Sequence, residues 1–367
     1  MHIVQVGKFY PPEYHGGLES VVVSINDELV RRGVAVTTVV AAVKGGTRRD
    51  TWRGVEVVRA GTLGAVFSQP LAPGYARAVR DATGDLLNLH HPNPLGDWAV
   101  LRDKRPLVIT QESDIVRQRV LRPLYGPLLR RAFARARAVA VASEQQLTTS
   151  FELRGFEAKT RVIPYGIDAA PFAMTPVVQQ RVAALRAAWG ARPVVLAVGR
   201  LVGYKGFDVL LRAAVGLEAT VVIVGRGPEE ARLRALAGPH TVFAGRVSDG
   251  DLVAHYHACD VFCLPSVTIA EAFGVVLLEA MACGRPLVTT SLPTGVSAIN
   301  RDGVTGLAVP PGKVGALREA LSSLLNDAAL RKKMGDAARA VQAAEYSAAL
   351  MGERYLAMYR EALQNAD

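Results

Sequence analysis

Two carboxylates, Glu271 and Glu279, stand eight positions apart in the stretch IAEAFGVVLLEAMACGRP, residues 269–286. Phe273-Gly274 between them reads as a loop turning into a helix. A glycine there lets the backbone approach a ligand closely. The unpaired N–H groups of the new helix, at its positive dipole end, suit an anion such as phosphate. Glu271 falls in the loop and Glu279 inside the helix on nearly the same face, because eight residues make a little over two turns. One carboxylate for a sugar and one for a ribose diol is the chemistry of a nucleotide-sugar site. A helix start followed by a solvated glutamate is the plainer reading of this stretch alone.

Two cations lie upstream. In VVLAVGRLVGYKGFDVLLRAA a strand ends at Gly199-Arg200, and Lys205-Gly206 opens the next helix. Arg200 and Lys205 therefore share a loop at a strand's carboxyl end, where open α/β sheets bind ligands. Two fixed cations there can hold a diphosphate and neutralise charge as it leaves; solvated surface cations are the alternative. VVIVGRGPEEARL supplies half of a dinucleotide fingerprint, for which a plain tight turn is an equal explanation. Asp249-Gly250-Asp251 is read as a helix start capped by Ser248 and Asp249 rather than a metal site. His255 and His257, two apart on a helix, point in different directions, so no metal ligand set is expected.

The elements that position these residues come in two series. In the first half, strands are predicted at 2–8, 34–42, 55–60, 86–90, 106–111 and 138–143, alternating with helices at 18–32, 94–103, 120–136 and 144–154. The alternation restarts with strands at 194–199, 220–225, 241–244, 261–264 and 286–290 and helices at 205–215, 228–237, 249–258, 274–283 and 314–326. Alternation of this kind predicts parallel sheets with helices on both faces. Two Rossmann-type domains in tandem follow, 1–168 and 193–345, with residues 169–192 as linker and helix and a cleft between the domains. The stretch 327–364 is predicted helical, and Tyr346, Leu350, Tyr355, Met358, Tyr359 and Leu363 give it an apolar stripe that must bury. Residues 346–367 carry that stripe. Gly16-Gly17 follow the first strand, where doubly wound folds bind phosphate.

Composition narrows the class. Half of the 367 residues are hydrophobic, enough for two large cores. No apolar run reaches the roughly 18–20 residues of a membrane-spanning helix. The opening MHIVQVGKFY reads as a buried strand rather than a signal peptide. Three cysteines, Cys259, Cys263 and Cys283, make no disulfide framework. A cytoplasmic location is expected. The net charge is +10, of which residues 1–168 carry +7 (23 Lys+Arg against 16 Asp+Glu). Seven arginines between Arg117 and Arg137, interleaved with Leu121, Leu124, Leu128, Leu129 and Phe133, suit either a basic amphipathic helix on an anionic membrane or a solvated helix face. Nucleic-acid motifs are lacking.

Taken together, GRLVGYKGFD, GRGPEEARL, EAFGVVLLEAMACGRPLV and DGVTGLAVPPG resemble family 4 glycosyltransferases, retaining enzymes of GT-B architecture, over nearly the whole chain. GKFYPPEYHGGLES, LHHPNPLGDWA and SDIVRQR look like a subgroup that transfers mannose or rhamnose from a GDP-sugar in bacterial surface polysaccharide synthesis, onto a saccharide or lipid-linked saccharide. The resemblance implies that Arg200 and Lys205 hold the donor diphosphate with the backbone of Phe273, Gly274 and Val275 and with the Gly16-Gly17 loop. It implies that Glu279 takes the ribose, Glu271 the transferred sugar, and the Arg246-Val247 loop the base. It also implies a metal-independent enzyme without cofactor, and a last helix that crosses back to the N-terminal domain.

The chain departs from the family at one place. Where family members carry a histidine before Ser-Asp, this sequence has Glu112, followed by Ser113-Asp114. A carboxylate there repels a diphosphate unless it is protonated or turned to the acceptor. Glu112 joins Glu271, Arg200 and Lys205 as a catalytic candidate; His91, Ser113, Asp114 and Arg117 are acceptor-side candidates, with His90 beside them. The competing readings are a UDP-sugar transferase, a nucleotide-sugar epimerase, a catalytically silent binding protein resting on Glu112, and an NAD oxidoreductase, for which a complete Gly-x-Gly-x-x-Gly is missing.

Overall fold

The computed structural model describes all residues except 15, 67–68, 116–121 and 365–367. The chain divides into two compact units, residues 1–166 with 348–367, and residues 167–347.

The first unit opens with β1 (His2–Val6), α1 (Gly17–Arg31), β2 (Ala35–Ala41), β3 (Arg48–Trp52) and β4 (Val55–Ala60). A small hairpin, β5 (Ala65–Val66) with β6 (Gln69–Pro70), precedes α2 (Tyr75–Asp81). Then come β7 (Leu86–His91), α3 (Pro94–Val100), β8 (Leu107–Gln111), α4 (Arg122–Arg135), β9 (Ala138–Val141), α5 (Glu144–Thr149) and β10 (Thr160–Val162). The main sheet has the order β10-β9-β8-β7-β1-β2-β4-β3, parallel except for β3. β3 pairs antiparallel at the edge, with residues alternately half-buried and exposed. Val4, Val6, Val39, Leu87, Leu89, Ile109 and Val139 from the sheet pack against Tyr75, Val79, Val100 and Phe133 from the helices. Full burial of each aliphatic side chain contributes roughly 1.5–3 kcal/mol.

The second unit holds α6 (Pro176–Trp189), β11 (Val194–Val198), α7 (Phe207–Ala213), β12 (Thr220–Val224), α8 (Glu230–Leu236), β13 (Thr241–Gly245), α9 (Asp249–Ala258) and β14 (Val261–Leu264). It continues through α10 (Val275–Ala282), β15 (Leu287–Thr290), α11 (Gly295–Ile299), β16 (Gly306–Val309), α12 (Val314–Asn326) and α13 (Ala328–Glu345). All six strands are parallel in the order β13-β12-β11-β14-β15-β16, the doubly wound Rossmann order. The segment 169–192, expected as linker and helix between the domains, belongs to this unit. Thr175 caps α6 with Pro176 at its first turn, and Val178 of α6 packs on Val253 and Ala254 of α9. Ser248 caps α9 through the Asp251 N–H, as the sequence predicts.

The predicted long terminal helix is two helices, broken at Tyr346–Ser347. The second, α14 (Ala348–Gln364), is part of the first unit. Met351, Tyr355, Met358, Tyr359 and Ala362 are its buried stripe, while Arg32 donates to the Ala349 carbonyl (2.8 Å) and Arg137 to the Ala362 carbonyl (2.6 Å). No described helix is long and apolar enough to cross a membrane.

Candidate active site

In the second unit strand order reverses between β11 and β14, and the carboxyl ends of strands at such a switch point are where open α/β sheets bind ligands. The β11 loop runs through Arg200 into a single 3-10 turn, Gly203–Lys205, and Gly206 links it to α7 in the left-handed conformation (φ 68°). A Cβ on Gly206 would sit 2.0 Å from the Pro265 carbonyl oxygen, so the loop after β11 presses directly on the loop after β14. Val267 N–H donates to the Tyr204 carbonyl (2.8 Å) and fastens the two. This contact joins residues more than sixty positions apart.

The consequence is an ion pair between Lys205 Nζ and Glu271 Oε2 at 2.6 Å, with both residues buried. Ser266 Oγ donates to the same carboxylate oxygen (2.9 Å), and Thr290 in turn donates to the Ser266 carbonyl. A pair out of water at this distance is held tightly, and either member alone is a costly buried charge. Arg200 is exposed; its carbonyl accepts from Val202 N–H (2.9 Å), and its side chain makes no hydrogen bond or ion pair among the described residues.

Gly274 caps α10 with φ 83°, and Phe273 is buried beneath it against Gly295. The N–H groups of Val275 and Val276 at the start of α10 have no intrahelical partners by construction, while Leu277 N–H donates to the Gly274 carbonyl (2.8 Å). Glu279 lies little more than one turn into α10, half-buried, and Tyr256 of α9 donates to its Oε2 at 2.6 Å. Burial pushes the Glu279 carboxyl up to about 7, against the Tyr256 hydrogen bond and with help from Asp249. The half fingerprint after β12 is a packing device: a Cβ on Gly227 would meet the Leu201 carbonyl at 2.2 Å, and Leu201 N–H donates to the Arg226 carbonyl (3.0 Å). Arg246, exposed, and Val247, half-buried, follow β13 on the same carboxyl rim.

The first unit reverses strand order between β1 and β7. Gly16 caps α1 in an extended conformation, and Gly17 is open around its Cα. The expected phosphate seat is filled by the chain itself. A Cβ on Gly16 would strike Glu19 Oε2 at 2.4 Å, so the missing side chain makes room for a carboxylate folded over the helix start. Burial pushes the Glu19 carboxyl up to about 7; its own N–H opposes this, Glu112 adds to it, and Lys8 opposes it.

Glu112 leaves the end of β8, buried, with its N–H on the His91 carbonyl (2.9 Å) and its Oε1 3.2 Å from His90 Nδ1. His91 corrects the acceptor-side expectation. It has no exposed surface and is wedged between Asp97 (3.3 Å) and Glu152 (3.2 Å). Burial lowers its pKa, but these two carboxylates outweigh burial and hold the imidazolium up to about 10. Asp114 is also a structural residue. It accepts from the Ser150 hydroxyl, from Phe151 N–H (3.0 Å) and from Gln111 (3.1 Å), and the Ser113 carbonyl accepts from Gln111 (3.2 Å). Arg117 lies outside the described residues.

The basic segment is likewise divided. Arg135 donates to the Asp103 and Arg105 carbonyls, Arg137 caps α14, and Arg130 lies over the Phe156 ring (5.2 Å). On α4 Arg130 and Arg131 are exposed while Leu129, Ala132 and Phe133 join the core. Sequence reasoning missed Ser266, Tyr256 and Glu19. Ser266, two residues past a strand end, carried a positional signal; Tyr256 reaches Glu279 from another helix and carried none.

Two parallel α/β units, a doubly wound second sheet with cations and a helix start at its switch point, and a last helix returned to the first unit are GT-B architecture. The description Glycosyltransferase Family 4 matches residues 15–170, and Glycosyl transferases group 1 matches residues 186–341. The O-antigen chain mannosyltransferase C of Escherichia coli is 31% identical over 373 residues, covering 100% of both chains. The D-rhamnosyltransferase WbpZ of Pseudomonas aeruginosa is 38% identical over 71% of this chain and 69% of its own. Among solved structures, a sucrose-phosphate synthase from Thermosynechococcus elongatus superposes with a TM-score of 0.81 at 21% identity, covering 98% of each chain. The chain belongs to glycosyltransferase family 4 and is a glycosyltransferase.

Proposed function

We propose that this enzyme transfers mannose or rhamnose, with retention, from a GDP-sugar to a saccharide or lipid-linked saccharide acceptor in surface polysaccharide synthesis. The observation that carries this is the Lys205–Glu271–Ser266 constellation at the second unit's switch point, with Arg200 and the start of α10 on the same rim. Lys205, Arg200 and the N–H groups of Phe273, Gly274 and Val275 bind the diphosphate. Glu271 exchanges its Lys205 partner for a sugar hydroxyl, and Glu279 accepts from the ribose. The leaving diphosphate, its charge held by the two cations, takes the acceptor's proton as the new glycosidic bond forms. The names of the two relatives support the hexose and the acceptor class. The enzyme works without a divalent cation, in the cytoplasm, and touches the inner membrane face through Arg130 and Arg131.

A thermal-shift panel of GDP, UDP, ADP and TDP with their sugars, run with and without EDTA, tests this reading. GDP and GDP-mannose give the largest shifts, unchanged by EDTA. Preference for uridine, or a shift that needs a divalent cation, overturns the donor or the metal-independence respectively.

A further inference from the structure

Glu279 is steadied from outside its own helix. Tyr256 of α9 donates to its Oε2 at 2.6 Å, and the tyrosine has no exposed surface. The Tyr256 ring packs on Phe262 of β14 (centroids 5.5 Å apart) and on Phe172 (6.3 Å). Phe172 is tied to α9 in turn, because its carbonyl accepts from His257 (2.8 Å). A ring packed between two others keeps few rotamers, so its hydroxyl has one direction to point. A buried phenol is costly unless its hydrogen is bonded, and the Glu279 carboxyl is the partner here. Glu279 is itself half-buried, and its Oε1 makes no hydrogen bond among the described residues.

The same hydroxyl bears on the charge. Burial disfavours the Glu279 carboxylate, the Tyr256 hydrogen bond favours it, and Asp249 on α9 disfavours it, which leaves the group at about 7. Burial keeps the Tyr256 phenol protonated, so it remains a donor throughout the neutral range. The Cys283 thiol on α10 and the Cys259 thiol after α9 are each pushed up to about 12 by burial and stay neutral. Arg339 of α13 and Arg285 act on Cys283. A ribose diol offers two hydrogens. A carboxylate accepts both, whereas a carboxylic acid turns one of its oxygens into a donor.

We propose that Tyr256 is the positioning residue of the ribose contact: it turns Glu279 Oε2 inward and leaves a charged Oε1 free for the 2′- and 3′-hydroxyls of the nucleotide. This rests on the reading above that Glu279 accepts from the ribose. Every residue involved belongs to the second unit. Segment 169–192 takes part through Phe172, which braces the tyrosine that aims the carboxylate.

The test is titration calorimetry of GDP, UDP and ADP, each against its 2′,3′-dideoxy counterpart, near pH 6, 7 and 9. The tightest-binding base is the one read. The diphosphate is common to each pair, so titration of the cations cancels in the ratio of the two dissociation constants. In the parent the ribonucleotide binds about tenfold tighter at pH 7, and this preference grows as pH rises through about 7 and shrinks below it. Tyr256→Phe keeps the ring but loses the bond that favours the carboxylate, so the ratio falls to about twofold at pH 7 and recovers to about fivefold or more at pH 9. Glu279→Gln lowers the ratio to about twofold at every pH. A packing defect alone would weaken both members of a pair equally and leave their ratio unchanged. Parent-like ratios in Tyr256→Phe overturn the proposal, as do ratios lowered equally at every pH or a parent ratio that ignores pH. Parent-like ratios in Glu279→Gln overturn the ribose reading and the proposal with it. Lowered ratios in Glu279→Gln beside parent-like ones in Tyr256→Phe overturn the proposal alone.

Discussion

The two switch points share a topology and invert its electrostatics. In the second unit the strand ends deliver Arg200, Lys205 and the start of α10, and the Glu271 carboxylate beside them is neutralised by Lys205. In the first unit the equivalent place holds Glu19, Glu112 and His90, and the start of α1 is already covered by its own Glu19 carboxylate. A polyanion suits the former; an uncharged hydroxyl suits the latter. One fold therefore carries two electrostatic settings, because the sheet sets where loops converge and the loop side chains set the sign.

The largest test of this contrast is at the anion side. Lys205→Ala or Glu271→Ala is expected to lower transfer by about 1000-fold or more, since each removes charge stabilisation and strands its partner. Full transfer activity in either folded variant, measured with a labelled donor, would end the site assignment. Next is the loop contact that builds the site. Gly206→Ala must accommodate φ 68° and a Cβ 2.0 Å from a carbonyl oxygen, so denaturant unfolding should lose about 2–4 kcal/mol.

The first unit's buried groups make pH the next probe. His91, held up to about 10 against an ordinary 6.5, contributes stability that is fully present below pH 6.5 and lost as pH rises through about 10. Unfolding midpoints of the parent should fall across that window, and His91→Gln should flatten the slope there. Glu19, raised to about 7, retains a proton in the fold that the unfolded chain releases from about pH 4.5 upward. Ionised Glu19 is thus a penalty above pH 7. Glu19→Gln should match the parent near pH 4 and exceed it at pH 8; no gain at pH 8 would show that the carboxylate is well solvated there. Glu279 titrates in the same window, so the difference between variant and parent is the quantity to read. The smallest effect is expected from Arg130→Ala with Arg131→Ala, about 1 kcal/mol per charge in binding to anionic vesicles.

The second unit was more legible than the first for physical reasons. Strands such as β11 and β12 are short β-branched runs buried on both faces, and there local pattern and fold agree, though β16 and α11, only four and five residues long, escaped. In the first unit β3, with the sequence RRDTW, escaped because an edge strand needs no apolar run, and α2 escaped because seven residues carry too little periodicity. Residues 169–192 read as a linker because clustered Pro and Gly mark loops; only packing on α9 shows that α6 belongs to a core.

By itself the sequence determined the alternating pattern of two α/β units, the loop positions of Arg200, Lys205, Glu271 and Gly274, and the family they resemble. These are properties of residue type and spacing along one chain. Tertiary structure decided which loops meet, which histidine is sealed and which is linked to Glu112, and that Glu19 occupies the start of α1. Each of these depends on strands paired across tens of residues and on burial by other elements. Local periodicity carries no record of either, and burial is what converts an ordinary side chain into a fixed charge or a held proton.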